Sequence, residues 1–485
     1  MRFFLLKVSV TQPQRTDKQS EEVLSTMAVA EGSAWCAPAR LLCAAAILHL
    51  LLTVSVYAFG RYALFPGTFD KNGVAVAFAR DCVLYRADAA ALSEALWSGE
   101  IRRWVSADQP FHVKLYSICF AIFGPLFGYN ILAAEPLNAL FYLATLALVF
   151  TLGREIFNRR AGLWAAGVIA IWPSYLLHTT QLLKDPPFVA GMLALILIIV
   201  RWLRRDYTWR SALLWGLAGA LLSTALWLTR ADMGELLIPT VLLGALLLVA
   251  RQLRERRVRA TNLAGMALVV AATLSVPQLI PKALRLGMSP SSIEWTARQE
   301  ALRKATAGEA ATPEDESQTY IWTRLAKRVG KMRQRFVEMY ENPGSNIDSD
   351  VQINSTADLV RYLPRAALIG FFAPFPNMWF TSGNSVGSAG RLLGGLESLA
   401  MYAVEGLAFL GLWLGRRRLS VWLLFSVAAT GMIALGLVVV NVGALYRLRY
   451  VFLILLIILA AEGAAHILDR LSKKPREIEE RGSEG

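Results

Sequence analysis

The chain contains few charged residues and few of the side chains that commonly bind metals or form disulfides. Of its 485 residues 18% are charged, whereas an average soluble domain has about a quarter. It has four histidines and four cysteines, and the cysteines (Cys36, Cys43, Cys82 and Cys119) do not have the spacing of a metal site. Cys82 and Cys119 are the one pair that an oxidising compartment could join.

Long apolar runs dominate what is present. Hydrophobic residues make up 55% of the chain, and the mean hydropathy is +0.44. Runs of about 17–25 apolar residues, the length that crosses ~30 Å of hydrocarbon, recur along the sequence. They predict an all-α polytopic membrane protein. The net charge of +14 comes largely from arginines in short loops between these runs. This pattern is the positive-inside bias of membrane proteins, and it does not favour nucleic acid as a partner.

The basic loops orient the predicted helices. Two apolar pieces, 111–127 and 366–380, are broken by Pro or Gly, so we predict that they are interfacial or re-entrant helices on the outer face. Every basic loop then lies inside, and both termini are cytoplasmic. The ten predicted spans are 38–59, 131–152, 162–182, 187–200, 211–229, 236–250, 262–280, 393–414, 420–440 and 450–468.

Composition divides the chain into five regions, without an evident internal repeat of the kind found in many secondary transporters. They are a cytoplasmic tail (1–37), a transmembrane core (38–280) with a first outer loop (60–129), an extracytoplasmic region (281–392), C-terminal transmembrane helices (393–468) and a second cytoplasmic tail (469–485). A row of basic residues at 324–335 has helical spacing, which predicts an amphipathic helix with a solvated basic face.

Two carboxylates fall on the predicted outer face. Asp81 follows the first span, and Asp185 lies in a Lys-Asp-Pro-Pro sequence where the third span leaves the bilayer. Two carboxylates beside lipid can hold a divalent cation or act as a general base. We therefore predict a site there, the alternative being that each is a solvated loop residue.

Other ionisable side chains lie near the same face. Glu135 is inside an apolar run, where a charge is costly unless it faces the protein interior or a wet cavity, so it is a site candidate or a structural partner. His178 is at the outer end of the third span. Arg230 ends the fifth span, where Asp232 could pair with it locally.

Arg447 and Arg449 lie in a short outer linker, against the positive-inside trend. Guanidinium groups bind phosphate bidentately, so phosphate or phospholipid head-group binding competes with simple anchoring at the lipid interface. Glu397 and Glu405, in the eighth span, have no evident role from the sequence.

Several short motifs, taken in order over roughly 40–250, resemble the GT-C membrane glycosyltransferases, above all the protein O-mannosyltransferase-like and lipid A aminoarabinose-transferase-like enzymes. The matching elements are Asp81-x-x-x-Tyr85-x-x-x-Ala89, Gln109-Pro110-Phe111 followed by Phe123-Gly124, the basic turn 154–160, Trp172-Pro173 and Lys184-Asp185-Pro186. The chain departs from the usual pattern in having Cys82 for Glu, Phe111 for the second Pro and Glu135 for Arg.

The resemblance implies transfer of a sugar from a polyprenyl-phosphate donor to a glycan, lipid or protein acceptor. The site would face the extracytoplasmic side of the inner membrane. Asp81 would be the general base of an inverting displacement, and Asp185 would support the site or a cation, although no cofactor is fixed beyond a divalent cation as a candidate. Lys184, Arg447 and Arg449 would stabilise the departing phosphate. Further substrate contacts would come from Tyr85, Glu135, His178 and Arg230.

Two other functions fit the same features. An O-antigen polymerase or ligase also handles polyprenyl-linked glycans and relies on outer arginines rather than on an outer aspartate. A transporter or flippase of lipid-linked glycans would bind the lipid without breaking a glycosidic bond.

Overall fold

The computed structural model describes residues 16–65, 68–69, 79, 81–230, 233–279, 321–339, 344–380 and 387–482, and the first 21 of these only as backbone. The regular structure of these residues is helical, and an isolated bridge joins Asn346 to Asn441. The predicted all-α polytopic fold is confirmed.

The helices follow one another with short connections. They are α1 (Thr16–Arg61), α2 (Asp81–Trp97), α3 (Ile101–Ser106), α4 (Phe111–Phe127), α5 (Ile131–Ile156), α6 (Arg159–Ala170), α7 (Pro173–Thr179), α8 (Asp185–Arg204), α9 (Trp209–Thr229), α10 (Gly234–Glu255), α11 (Ala260–Leu279), α12 (Ile321–Met339), α13 (Thr356–Phe372), α14 (Gly387–Gly415), α15 (Leu419–Val438), α16 (Val442–Leu448) and α17 (Tyr450–Gly482).

Nine helices among the described residues are long and apolar enough to cross a membrane. They are α1 from Ala37, α5, α8, α9, α10, α11, α14 from Gly390, α15 and α17 as far as Ser472. Helices α6 and α7 form a tenth apolar element that bends by 68° at a short break. The break falls at Trp172-Pro173, where the proline has no N–H to continue the first helix and disfavours helical backbone in the residue before it. The count agrees with the ten predicted spans.

The two apolar pieces predicted to be interfacial or re-entrant are 111–127 and 366–380. The first agrees with the prediction that it is not a full span, and the second agrees only in part, because its helix has different bounds. Helix α4 has 17 residues and falls short of a full span. The second piece was expected to start at 366, but its helix, α13, starts ten residues earlier. Its first residues are held by a capping box in which Ser355 and Asp358 exchange side-chain and backbone hydrogen bonds. Residues 280–320, most of the first half of the predicted extracytoplasmic region, lie outside the described part.

The basic loops come together at one end of the bundle. Arg205 binds Glu155 through both carboxylate oxygens, and Arg418 donates to the carbonyl oxygen of Ile156. Arg160 pairs with Asp469. These contacts join four segments that the sequence places on the cytoplasmic side. The opposite end of the bundle, which we call the carboxylate end, holds the site described below.

Close backbone packing joins α14 to α17. A β-carbon at Gly411 would overlap the carbonyl oxygen of Leu459, and one at Gly463 would overlap that of Leu407. In a membrane, helices associate through such small residues because the lipid offers no hydrophobic driving force between them.

Gly411→Ala is expected to lower the stability of the protein by about 1–3 kcal/mol, because the added methyl group forces the two backbones apart. Gly406→Ala on the same helix is the control, since no atom lies within 4 Å of its β-carbon position. The measurement is thermal unfolding in detergent. Equal melting temperatures for the two variants would contradict the packing described.

Candidate active site

Asp81 and Arg447, which are 366 positions apart, form an ion pair at the carboxylate end. Asp81 is the first residue of α2, and Arg447 lies on the seven-residue helix α16. The guanidinium Nη2 donates to the Asp81 Oδ2 over 3.0 Å. The carboxylate side chain is 44% exposed and the arginine 11%. The aspartate can therefore be reached from outside, while its partner is held by the protein.

Cys82 fixes the start of α2 against the connection between α7 and α8. Its side chain is fully buried, and the backbone at Leu182 is its hydrogen-bonding partner. Burial raises the pKa of the Cys82 thiol, so the residue stays neutral. The disulfide that an oxidising compartment could form between Cys82 and Cys119 is not present, because both cysteines are free. Cys119 lies on α4 and contacts the backbone at Leu137 instead.

Asp185 and Arg230 form a second ion pair, and this one is buried. Each is 3% exposed. Asp185 is the first residue of α8, followed by two prolines that suit the first turn of a helix, and its charge lies at the positive end of the helix dipole. Arg230 caps the end of α9. The local partner considered for it, Asp232, lies outside the described residues.

Arg447 links the two pairs. Its charge acts on Asp185 as well as on Asp81, and both aspartates act on the intervening Cys82. Two carboxylates and two guanidinium groups therefore share one neighbourhood, drawn from α2, α8, α9 and α16. The structure therefore brings Asp81, Asp185 and Arg447 close together, while their roles stay a prediction.

A hydrogen-bonded chain leads into this neighbourhood from α14. Glu397 accepts from the indole Nε1 of Trp172 at 2.6 Å and from both the backbone N–H and the hydroxyl of Ser174, at 3.0 and 2.5 Å. The His178 Nδ1 lies 2.6 Å from the Ser174 carbonyl oxygen and 2.7 Å from the Tyr450 hydroxyl. Glu397 thus holds the start of α7 and, through it, the position of His178.

Glu135 lies in a separate buried cluster. Its carboxylate is 2.8 Å from the His49 Nδ1 and accepts from the Thr53 hydroxyl at 2.7 Å. The other ring nitrogen of His49 is 3.2 Å from the Thr179 hydroxyl. The carboxylate of Glu135, in an apolar helix, thereby has hydrogen-bonding partners inside the protein. Thr179, the last residue of this cluster, directly follows His178 in the sequence. The structure thus gives Glu135 the protein partner that was the alternative to a substrate role.

The remaining predicted residues lie around the site with different contacts. Lys184 occupies the N-cap position of α8, beside Asp185. Tyr85 is buried one turn along α2, with its ring edge-on to His112 at 4.5 Å. Arg449 donates to the Ala373 carbonyl oxygen at 2.6 Å and lies 4.1 Å from the centre of the Tyr446 ring. A substrate contact by any of the three stays a prediction.

The donor atoms that the structure describes at this site do not suit a divalent cation. Within the described ranges no three His, Cys, Asp or Glu side chains cluster as metal ligands would. Asp81 and Asp185 each hold a guanidinium group instead, which neutralises the oxygens that a cation would need. We therefore assign no step of the chemistry to a metal.

An apolar groove of about 190 Å³ lies between α10 and α15. It is lined by Leu236, Pro239, Thr240, Leu243, Ser426, Val427, Thr430, Gly431 and Phe452. Phe452 is two residues from Tyr450, which contacts His178, and Leu236 is six residues from Arg230. Two residues of the groove lining are therefore close in sequence to Tyr450 and Arg230, which belong to the site.

Sequence comparison connects this geometry to a known family. Residues 108–280 match the family model described as dolichyl-phosphate-mannose-protein mannosyltransferase. This segment, about a third of the chain, is similar to that family. The resemblance drawn from the motifs is thereby confirmed. The matched segment includes Asp185 and Arg230, whereas Asp81 and Arg447 lie on either side of it. No curated protein matches the chain.

Two solved structures are similar at low sequence identity. One is the crystal structure of the Archaeoglobus fulgidus oligosaccharyltransferase in the apo form, with 15% identity over 90% of this chain and a TM-score of 0.47. The other is oligosaccharyltransferase AglB from the same organism in complex with an inhibitory peptide and a dolichol-phosphate, with 15% identity over 91% and a TM-score of 0.46. The chain spans about half the length of these structures, 52% in each case.

Sequence reasoning missed several residues that build the site. Tyr450 and Glu397 support His178, and His49 pairs with Glu135. His49 carried a usable signal, since it is an ionisable residue in an apolar run just as Glu135 is. Tyr450 carried none, because a tyrosine at the start of a span is common at membrane interfaces.

Proposed function

We propose that the protein is an inverting glycosyltransferase that moves a sugar from a polyprenyl-phosphate donor to an acceptor hydroxyl. The observation that supports it best is the ion pair between Asp81 and Arg447 beside the buried pair of Asp185 and Arg230. In the first pair an accessible carboxylate lies next to a largely buried guanidinium group. Such a transfer needs a base for the acceptor hydroxyl and a cation for the leaving phosphate.

Asp81 is the general base in this proposal. Its carboxylate takes the proton of the acceptor hydroxyl as the oxygen attacks the anomeric carbon from the face opposite the phosphate. The bond from the anomeric carbon to the phosphate oxygen breaks, and its electron pair stays on that oxygen. The product is the glycoside with inverted configuration, together with polyprenyl phosphate. A positioned general base contributes about 10²–10⁴ to such a rate.

Arg447 and Lys184 stabilise the charge that grows on the leaving phosphate. Arg447 is only 11% exposed, and fixed cationic donors in a site shielded from water lower the energy of a developing anion by several kcal/mol. Asp185 does not touch substrate in this mechanism, since its carboxylate is buried on Arg230. It acts by holding Arg230 and balancing the local charge.

The apolar groove between α10 and α15 suits the isoprenoid chain of the donor. Its lining from Leu236 to Leu243 follows the first turns of α10, so it begins at the carboxylate end and continues toward the middle of the bundle. The lipid tail would stay among apolar side chains while its phosphate reaches Arg447. The basic loops at the other end favour an extracytoplasmic site in the inner membrane, with a glycan, lipid or protein acceptor.

Transfer from a defined donor tests the proposal. Purified protein would be incubated with polyprenyl-phosphate sugars labelled on the sugar, beginning with mannose, the sugar named by the matched family, and with envelope extract as acceptor. Release of polyprenyl phosphate with label in a new glycoside is expected. Arg447→Gln should lose about 10²–10³ of the rate, and Arg361→Gln, an exposed arginine on α13, should lose little. The proposed function is rejected if no sugar is released from any donor, or if Arg447→Gln and Arg361→Gln have the same transfer rate.

A further inference from the structure

Helix α12 has three distinct faces. One consists of Ala326, Gly330 and Arg333, and it packs onto the protein. A second is an apolar stripe at helical spacing, and a third is a basic stripe. The apolar stripe is Trp322, Leu325, Val329, Met332, Phe336 and Met339, and the basic stripe is Arg324, Arg328, Lys331 and Arg335. The helix holds six basic residues against one acidic residue, Glu338.

Contacts at two points fix α12 at the carboxylate end of the bundle. Arg328 pairs with Glu235 in the first turn of α10. Arg333 is 2% exposed and donates to the carbonyl oxygen of Leu437, in the last turn of α15, at 3.0 Å. Both partners are ends of membrane-spanning helices. The middle of α12 therefore lies beside the ends of α10 and α15 at the carboxylate end.

The ends of the apolar stripe are not covered by the described part of the protein. Trp322 is 66% exposed, Leu325 41% and Met339 50%. Val329 and Phe336, in the middle of the stripe, pack against the core. Tryptophan is enriched at the boundary of membrane and water, and a helix with one apolar and one basic face lies in that boundary with the apolar face among the acyl chains.

The basic stripe is turned outward beside this apolar one. Lys331 and Arg335 are exposed and one turn apart, and they have no ion pair among the described residues. Cations at this end of the bundle run against the positive-inside trend. Each Lys or Arg near an anionic membrane surface adds about 1 kcal/mol of attraction. An anionic lipid surface would therefore be a favourable partner for the basic stripe.

We propose that α12 is an interfacial helix that binds anionic phospholipid head groups of the leaflet at the carboxylate end. Lys331 and Arg335 contact the head-group phosphates, while Trp322 and Leu325 lie among the first carbons of the acyl chains. This binding is separate from sugar transfer, because neither Lys331 nor Arg335 belongs to the site around Asp81.

Lipid titration of the full-length protein in mild detergent tests the proposal. The probes are phosphatidylglycerol and phosphatidylcholine, and the readouts are bound lipid by native mass spectrometry and melting temperature. Phosphatidylglycerol should bind and stabilise the wild type more than phosphatidylcholine, and less so at high salt. Lys331→Gln with Arg335→Gln should weaken the binding of phosphatidylglycerol about thirtyfold, at about tenfold per 1.4 kcal/mol.

The control is Arg102→Gln with Arg103→Gln, which removes two exposed charges from α3 and should leave lipid binding unchanged. The proposal is overturned if the Lys331 and Arg335 double variant binds phosphatidylglycerol as the wild type does, or if both lipids act equally. Equal stabilisation by inorganic phosphate would also overturn it, since the partner would then be a soluble anion.

Discussion

Asp81→Asn is expected to lower the rate of sugar transfer by about 10²–10⁴, because the amide cannot take the proton of the acceptor hydroxyl. The substitution keeps the size of the side chain and its hydrogen bond to Arg447, so folding and membrane insertion should be unaffected. The loss should appear in kcat, while the KM for the donor should stay the same or fall, since the neutral amide competes less with the phosphate for Arg447. The measurement is initial transfer rate from labelled donor at several donor concentrations.

Glu94→Gln on the same helix is the matched control. Glu94 is exposed and lies between three and four turns from Asp81. Its loss should change the rate less than twofold, as is usual away from a reacting group. An Asp81→Asn enzyme that retains a tenth or more of wild-type kcat would exclude Asp81 as the base. If Asp81→Asn is harmless while Arg447→Gln abolishes transfer, the arginine-dependent polymerase or ligase alternative would be favoured.

Arg230→Met is expected to destabilise the protein by about 3–5 kcal/mol, because it leaves the Asp185 carboxylate buried without a partner. Both side chains of this pair are only 4% exposed. Adding Asp185→Leu to Arg230→Met should recover much of the loss, since an apolar pair removes the unpaired charge. The measurement is thermal unfolding in detergent, monitored by loss of the monodisperse species. It compares Arg230→Met and Asp185→Leu with the variant that carries both substitutions.

An exposed ion pair supplies the reference for that experiment. Arg103 and Glu100 are 72% and 50% exposed, and Arg103→Gln should cost less than about 1 kcal/mol. A value for Arg230→Met as small as this would mean that water reaches the Asp185 pair. A double variant no more stable than either single would mean that the two side chains do not act as a pair.

The fold was largely predictable because its main signals are local. Span lengths follow from apolar runs, and the shared side of the basic loops follows from their arginines, as the contacts of Arg205 and Arg418 with the end of α5 bear out. Hydropathy does not indicate the early start of α13, because its signal is the polar capping box of Ser355 and Asp358.

The site was predictable only as a set of candidates. Asp81, Asp185, Arg230 and Arg447 were each singled out, but their pairing is a tertiary property that the sequence does not display. Arg230 binds Asp185, which begins a different helix 45 positions earlier. Glu397 stayed without a role, since its partners Trp172 and Ser174 lie more than 220 positions away.

The ion pair of Asp81 with Arg447 implies an order of events in the proposed reaction. At rest one oxygen of the Asp81 carboxylate is occupied by the Arg447 guanidinium group. A donor phosphate that competes for Arg447 releases the carboxylate only when the lipid-linked sugar is in place. An acceptor that arrives first meets a carboxylate still held by Arg447, so kinetics with donor binding before acceptor should result.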